Sequence, residues 1–262
     1  MVSNLNGFLG GGLVRLRWSR KAALVSLLLN LVLPATAAAA SASEEAYGDR
    51  LEVALNQGDA PALQALVDPP LQERLQRRYD RFAEDFPNAR WNVDQLEPSA
   101  DGRSRLTVSV KGVGRSDGLM YRLQASQTLA VRVEAGVMRE EELLDDRSLL
   151  RSGTALLPVS VNLPRAVLTG SRYDIDVIVD EPLGSAMLAG GLMQLKEDTA
   201  SGSLQPNIQL EPLGGGGLYK RVQAPQSPGV QTWAVMLVHP DGVVTATHRV
   251  KVAVDDAELA RY

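Results

Sequence analysis

Two periodicities divide this chain: helical spacing of apolar side chains up to Phe86, and strand-like alternation from Trp91 onward. Tyr47, Leu51, Ala54 and Leu55 mark one stripe of a helix over Ser43 to Asn56. Gly58 closes it, and Asp59 with Pro61 caps and opens a short second helix, Ala60 to Val67. After Asp68-Pro69-Pro70, a third and longer helix shows its stripe in Leu71, Leu75, Tyr79, Phe82 and Phe86. Its other face mixes Glu73, Arg74, Arg77, Arg78, Asp80, Arg81, Glu84 and Asp85, the pattern of a solvated surface.

Pro87-Asn88 ends that helix and the period changes. A strand is expected around Trp91 and Val93, and Asp101-Gly102 is a hairpin turn signal. Leu106, Val108 and Val110 alternate with polar residues as in a half-buried strand, and a loop is expected from Gly112 to Gly118. Leu119, Tyr121, Leu123, Ala125, Leu129, Val131 and Val133 then hold odd positions, with Gln127 the polar intruder, which predicts one long bent strand. Gly136 turns into a last strand of this half, Val137 to Leu144.

Three helices, the third long and amphipathic, followed by meandering strands with one very long curved strand, resemble the NTF2-like (SnoaL-like) superfamily over about Glu44 to Ser152. The resemblance implies an α+β cone with a pocket between the concave sheet and the helices. Members of that superfamily include isomerases, dehydratases, small-molecule binders and assembly modules, so such a fold leaves function open.

From Ala155 onward helical periodicity disappears. Leu157, Val159 and Val161 alternate, as do Tyr173, Ile175, Val177 and Val179, and further strands are expected at Leu192 to Lys196, Ile208 to Leu210 and Leu218 to Val222. Trp233 to Val238 and Val243 to Val254 flank His239-Pro240-Asp241-Gly242, a hairpin signal. The spacing predicts an all-β sandwich that resembles an immunoglobulin-like or fibronectin-III-like module without a disulfide. The expected organisation is a signal peptide over 1–42, an NTF2-like α+β domain over 43–153, an Ig-like β-sandwich over 154–254 and a frayed tail, Asp255 to Tyr262.

Compartment comes from the N-terminus. Arg15, Arg17, Arg20 and Lys21 precede an apolar run, Leu24 to Leu33, and small residues at Ala38, Ala40 and Ala42 follow. Cationic, apolar, then small is the layout of a secretory signal. A spanning helix needs about 20 apolar residues, and here Asn30 interrupts the run and Pro34 breaks it. Export to a periplasm is therefore expected, with a thylakoid lumen or an uncleaved membrane anchor as alternatives. The chain has no Cys, which removes a lipidated cysteine, disulfides, thiolate nucleophiles and sulfur metal sites.

Removing residues 1–42 takes four of the 27 Lys and Arg and none of the 31 Asp and Glu, leaving 23 against 31, a formal charge of −8. An acidic exported chain has no electrostatic footprint for nucleic acid and no polybasic handle on anionic lipid.

Candidate chemistry is sparse. An enzyme of the NTF2-like kind needs an acid or base inside the cone, and Asp94, Asp117 and Glu134 are the acids nearest the expected strands, with Tyr79 and Tyr121 as inward phenols. Asp174, Asp176 and Asp180 cluster as hard oxygen ligands would for calcium, but alternation puts Asp174 and Asp176 on a solvent face and the D-x-D-x-D-G pattern is absent. His239 and His248, the two histidines of the chain, flank the terminal hairpin without a third zinc ligand. The run Gly214 to Gly217 has no following Lys-Ser or Lys-Thr, so it reads as a flexible connection. No residue is thereby assigned to catalysis, a cofactor or a metal. The expected function is a non-enzymatic binding or assembly module for another envelope protein or for copies of itself. A small-molecule isomerase, lyase or ligand binder holding a small apolar ligand in the cone is the alternative, and an oligomerisation or adhesion protein is another.

Overall fold

The computed structural model describes residues 41–99, 101–116, 118–153, 156–181, 186–195 and 208–262. The apolar run at 24–33 lies outside these residues, as does Asp117. Three helices come first: α1 (Ser41–Gln57), α2 (Ala60–Ala65) and α3 (Pro69–Asp85). Strands β1 (Arg90–Leu96), β2 (Ser104–Ser116), β3 (Leu119–Glu134) and β4 (Val137–Gly153) follow. After them run β5 (Val159–Asn162), β6 (Ala166–Leu168), β7 (Arg172–Val179), β8 (Leu188–Leu195), β9 (Glu211–Leu213), β10 (Gly217–Gln223), β11 (Gly229–His239), β12 (Gly242–Ala253) and a last helical turn, α4 (Asp256–Leu259).

The chain is predominantly β, and one sheet takes strands from both halves of it. One sheet runs β1-β2-β3-β4-β12-β11-β8-β9, antiparallel throughout, with β6 added parallel to β12; a second sheet runs β10-β7-β5. This overturns both the NTF2-like resemblance and the α+β class of a helix-covered cone followed by an Ig-like sandwich. The reason lies in β4, which does not stop at Leu144. It continues through Asp145-Asp146-Arg147-Ser148 to Gly153, and Arg147 to Gly153 pair with β12 as well as with β3. An edge that a cone would leave free is thus satisfied by the C-terminal hairpin.

Charged residues conceal that continuation from pattern reading. A register shift between Thr128 and Leu129 leaves Leu144 without an opposite number on β3, so Leu143 and Leu144 are both buried, as are Asp145 and Asp146 after them. Beyond the bulge, neighbours on β4 serve different cores. Leu149 packs on the core beneath the three-stranded sheet, and Leu150 on the helix side. The two cores therefore lie on opposite faces of one sheet.

On the helix side, Tyr47, Leu51, Leu55, Leu63 and Leu66 meet Val93, Leu106, Leu129 and Val131. The expected loop over Gly112 to Gly118 is instead strand as far as Ser116, because Phe86, 2% exposed, lies where side chains on Gly112 and Gly114 would sit. On the other side, Ile175, Val177, Trp233, Val235, Leu237, Val250 and Val252 form the larger core.

The tail is not frayed. The Asp255 carboxylate caps α4 at Glu258 N–H (2.8 Å), and Arg261 and Tyr262 both donate to Glu142 of β4, Arg261 at 2.9 and 3.0 Å and Tyr262 at 3.2 Å. No helix among the described residues is long and apolar enough to cross a membrane.

Candidate functional site

Because the helices cover one face of β1–β4 and the small sheet covers the other face of β11 and β12, the outer face of β2 and β3 is left open beside β5. Register places its residues in rungs. Lys111 pairs with Gln124, Gln124 with Leu149, and Leu149 with Ala246. One rung along, Ser109 pairs with Ser126, Ser126 with Arg147, and Arg147 with His248. These two rungs floor a cavity of about 330 Å³, with Val159 and Val161 of β5 as its apolar wall. That volume lies within the roughly 300–1,000 Å³ of ligand sites.

The floor is cationic. Lys111 is exposed, and neither it nor Arg122, which pairs with Val113 and Arg151 on the next rung, has a carboxylate partner among the described residues. Arg151 donates to Gln124 Oε1 (2.8 Å) and to the Leu157 carbonyl (3.1 Å), which ties β4 to β3 and to the segment leading into β5. Burial pulls the Arg151 guanidinium below its ordinary value, and the charge of Asp180 opposes this. Arg147 forms an ion pair with Asp145 through Nε (3.0 Å) and Nη2, and Arg165 Nε reaches the same carboxylate at 3.5 Å.

His248 is the buried end of the floor, 5% exposed, and its Nε2 has no hydrogen-bond partner among the described residues. Burial pushes its pKa down to about 4; the charge of Asp145 opposes that shift, while Arg147 and Arg165 add to it. It is neutral at pH 7. The floor so built can hold an anionic, partly apolar group: fixed cations at one end, Ser and Gln side chains in the middle, and valines above.

The residues singled out from sequence fare differently. Asp94 faces solvent and accepts from Asn92 Nδ2 (2.7 Å), and Glu134 is exposed on the β3–β4 turn with Arg139 Nε at 4.0 Å. Tyr79 donates to the Leu55 carbonyl (2.8 Å), and burial, with the Asp80 charge, raises its phenol. Tyr121 is half-buried beside Phe86. The space between α1, α3 and the sheet, where a cone ligand was expected, is about 130 Å³, because Tyr79, Phe82 and Trp91 occupy it.

Asp174 is held by Arg221 (2.9 Å) and Tyr219 (2.9 Å), whose hydrogen bonds depress its carboxyl, and Asp180 accepts from Ser160 (3.0 Å). No group of three or more His, Asp or Glu able to hold a metal occurs among the described residues. His239 pairs with Gly242 at the hairpin end and His248 with Trp233, so the six residue steps from Gly242 to His248 separate the histidines by about 20 Å along the strand. Gly214 to Gly216 are exposed in the β9–β10 turn, and Gly217 opens β10 against Val177. Lys111, Arg122, Gln124 and Ser126 were legible only as the polar half of alternating strands, and Arg147 fell beyond the expected end of its strand; register alone makes them neighbours.

A family model described as a domain of unknown function (DUF8623) matches residues 154–253, less than half of the chain. No curated protein matches. Among solved structures, the red sea bream transglutaminase crystal structure aligns with 72% of this chain and 34% of its own, at 13% identity and a TM-score of 0.25. This chain thus spans about a third of that protein's length, and at that score the likeness carries no inference about fold or activity.

Proposed function

We propose that the chain is a non-enzymatic, exported binding module whose cationic groove between β2–β4 and β5 takes an anionic group of another envelope component. The observation that carries this reading is the placement of Lys111 and Arg122, unpaired among the described residues, beside a cavity of about 330 Å³ in a chain whose exported part has a formal charge of −8. Export rests on the order of cationic, apolar and small residues between Arg15 and Ala42, and a periplasm is the compartment that pattern serves by default.

Binding is favoured over turnover by what the groove lacks and what it has. Asp94 and Glu134 are exposed and Tyr79 donates to the Leu55 carbonyl, whereas the groove offers fixed charge, hydroxyls and apolar wall, the ingredients of recognition. The test is native mass spectrometry of the chain recovered from its own envelope fraction, alone and as Lys111→Glu. A second component retained by the first and lost from the variant is the expected result; bare monomers from both would overturn the reading.

A further inference from the structure

The strand beside the groove carries the inference further. β5 is the last strand of its sheet, with β7 as its neighbour and nothing paired on its other side among the described residues. Its register sets Val159 opposite Val179 and Val161 opposite Val177, and Asp180 N–H donates to the Pro158 carbonyl at 2.9 Å. In an antiparallel ladder this directs the backbone of Pro158, Ser160 and Asn162 toward β7. It leaves the N–H and C=O groups of Val159 and Val161 pointing away from the sheet. An unpaired edge of this kind is a template for another strand.

The next strand position lies over β3 and β2, since the cavity runs from the side chains of Val159 and Val161 to Gln124, Ser126 and Lys111. We propose that this edge takes up an extended acidic segment of a partner protein by strand addition. Its backbone pairs with Val159 and Val161, and its alternate side chains drop onto Lys111 and Arg122 of β2 and β3. The proposal rests on the groove being an anion-binding site and adds the form of the ligand. Three features favour a peptide chain. The edge supplies two donors and two acceptors in ladder spacing. Side chains of such a segment alternate every second residue, matching the two rungs beneath. Lys111 and Arg122 have no carboxylate partner among the described residues, and Asp145 at the floor's margin already has Arg147 and Arg165. A small carboxylate would use the cations and leave the edge bare.

The experiment titrates the full chain into a fluorescein-labelled eight-residue peptide alternating Glu and Val, followed by anisotropy, with amide exchange read at residues 159–162. Comparison peptides carry Lys for Glu, or N-methyl groups on every second amide in either registry, and free glutamate serves as the small-molecule competitor. Binding of the Glu-Val peptide, its weakening by about tenfold in Lys111→Glu and with rising salt, its loss on N-methylation, and slowed exchange at Val159 and Val161 are expected. Equal binding of the N-methylated peptide, or full competition by glutamate at equal concentration, overturns strand addition while leaving anion binding in place. No binding of any acidic probe up to millimolar concentration, with the Lys peptide equal to it, overturns both.

Discussion

Replacing Glu142 by Gln tests whether the C-terminal end is a structural part of the sheet. The carboxylate accepts from Arg103 Nη2 at 2.6 Å, from Arg261 Nη2 at 2.9 and 3.0 Å and from Tyr262 Oη at 3.2 Å. The Arg103 contact is the sheltered one, with side chains 14% and 20% exposed, so its charge-assisted bond is set at about 2 kcal/mol. Arg261 is 38% exposed and is discounted for solvent screening to about 0.5 kcal/mol. Gln keeps the shape and one acceptor, and Arg103 keeps Asp101 at 2.7 Å, so the net loss expected is about 2 kcal/mol, or about 4–8 °C in Tm for a chain of this size. Burial alone would raise the Glu142 carboxyl, but the hydrogen bond of Arg103 and the charges of Arg261 and Arg103 outweigh it and hold the group below its ordinary value. A carboxyl depressed on folding contributes stability that is present above its unfolded value of about 4.3 and is lost as pH falls through the folded value. The difference between wild type and variant should therefore be full at pH 7 and shrink below about pH 4. Urea unfolding at pH 7 and pH 3.5, with amide exchange over residues 255–262, reads both consequences. A variant within about 0.5 kcal/mol of wild type at pH 7, a difference inside the range of ordinary surface substitutions, whose tail amides exchange no faster would refute the reasoning.

Other outcomes follow from the same geometry. Gly153 has φ +123°, and a Cβ there would meet the backbone of Asp241 and Gly242, so Gly153→Ala should cost about 3 kcal/mol or more by parting β4 from β12; an unchanged urea midpoint would contradict this. Trp233 Nε1 donates to Tyr173 Oη (2.8 Å), which donates to Gln231 Oε1 (2.9 Å), all buried, so Tyr173→Phe should lose about 1–3 kcal/mol by orphaning two polar groups; calorimetry checks it. His248, pushed down to about 4 by burial, lets the unfolded chain bind a proton that the folded one refuses between its unfolded value of about 6.5 and 4. Stability is thus complete above that window and falls with pH inside it. His248→Gln should flatten the slope there, and an identical pH profile would count against the buried neutral imidazole.

Much of the local structure was legible because local periodicity determines it. The stripe Tyr47, Leu51, Leu55 and the caps at Gly58 and Asp59 mark α1 and α2, and odd-position apolar residues from Leu119 to Val133 mark β3, since a 3.6-residue or two-residue repeat shows which face must leave water. The same reading misjudged Gly112 to Gly118 as a loop, because a glycine that makes room for Phe86 looks in sequence like a glycine that makes a turn. It ended β4 at Leu144, because a bulge resets the alternation and the buried Asp145 and Asp146 carry no apolar signal. It freed the tail, because Arg261 and Tyr262 are anchored by Glu142, 119 and 120 residues away.

Sequence alone determined, then, the helix stripes, the alternating strands, the acidic charge and the absence of cysteine, all properties of residues and their near neighbours. Tertiary structure decided which strands pair. By joining β4 to β12 it made one sheet that carries a core on each face, and it brought Lys111, Arg147 and His248 together from three separate strands. Strand pairing across about 100 residues of intervening chain is governed by backbone hydrogen bonds that every residue type can make, so side-chain pattern does not encode the partner.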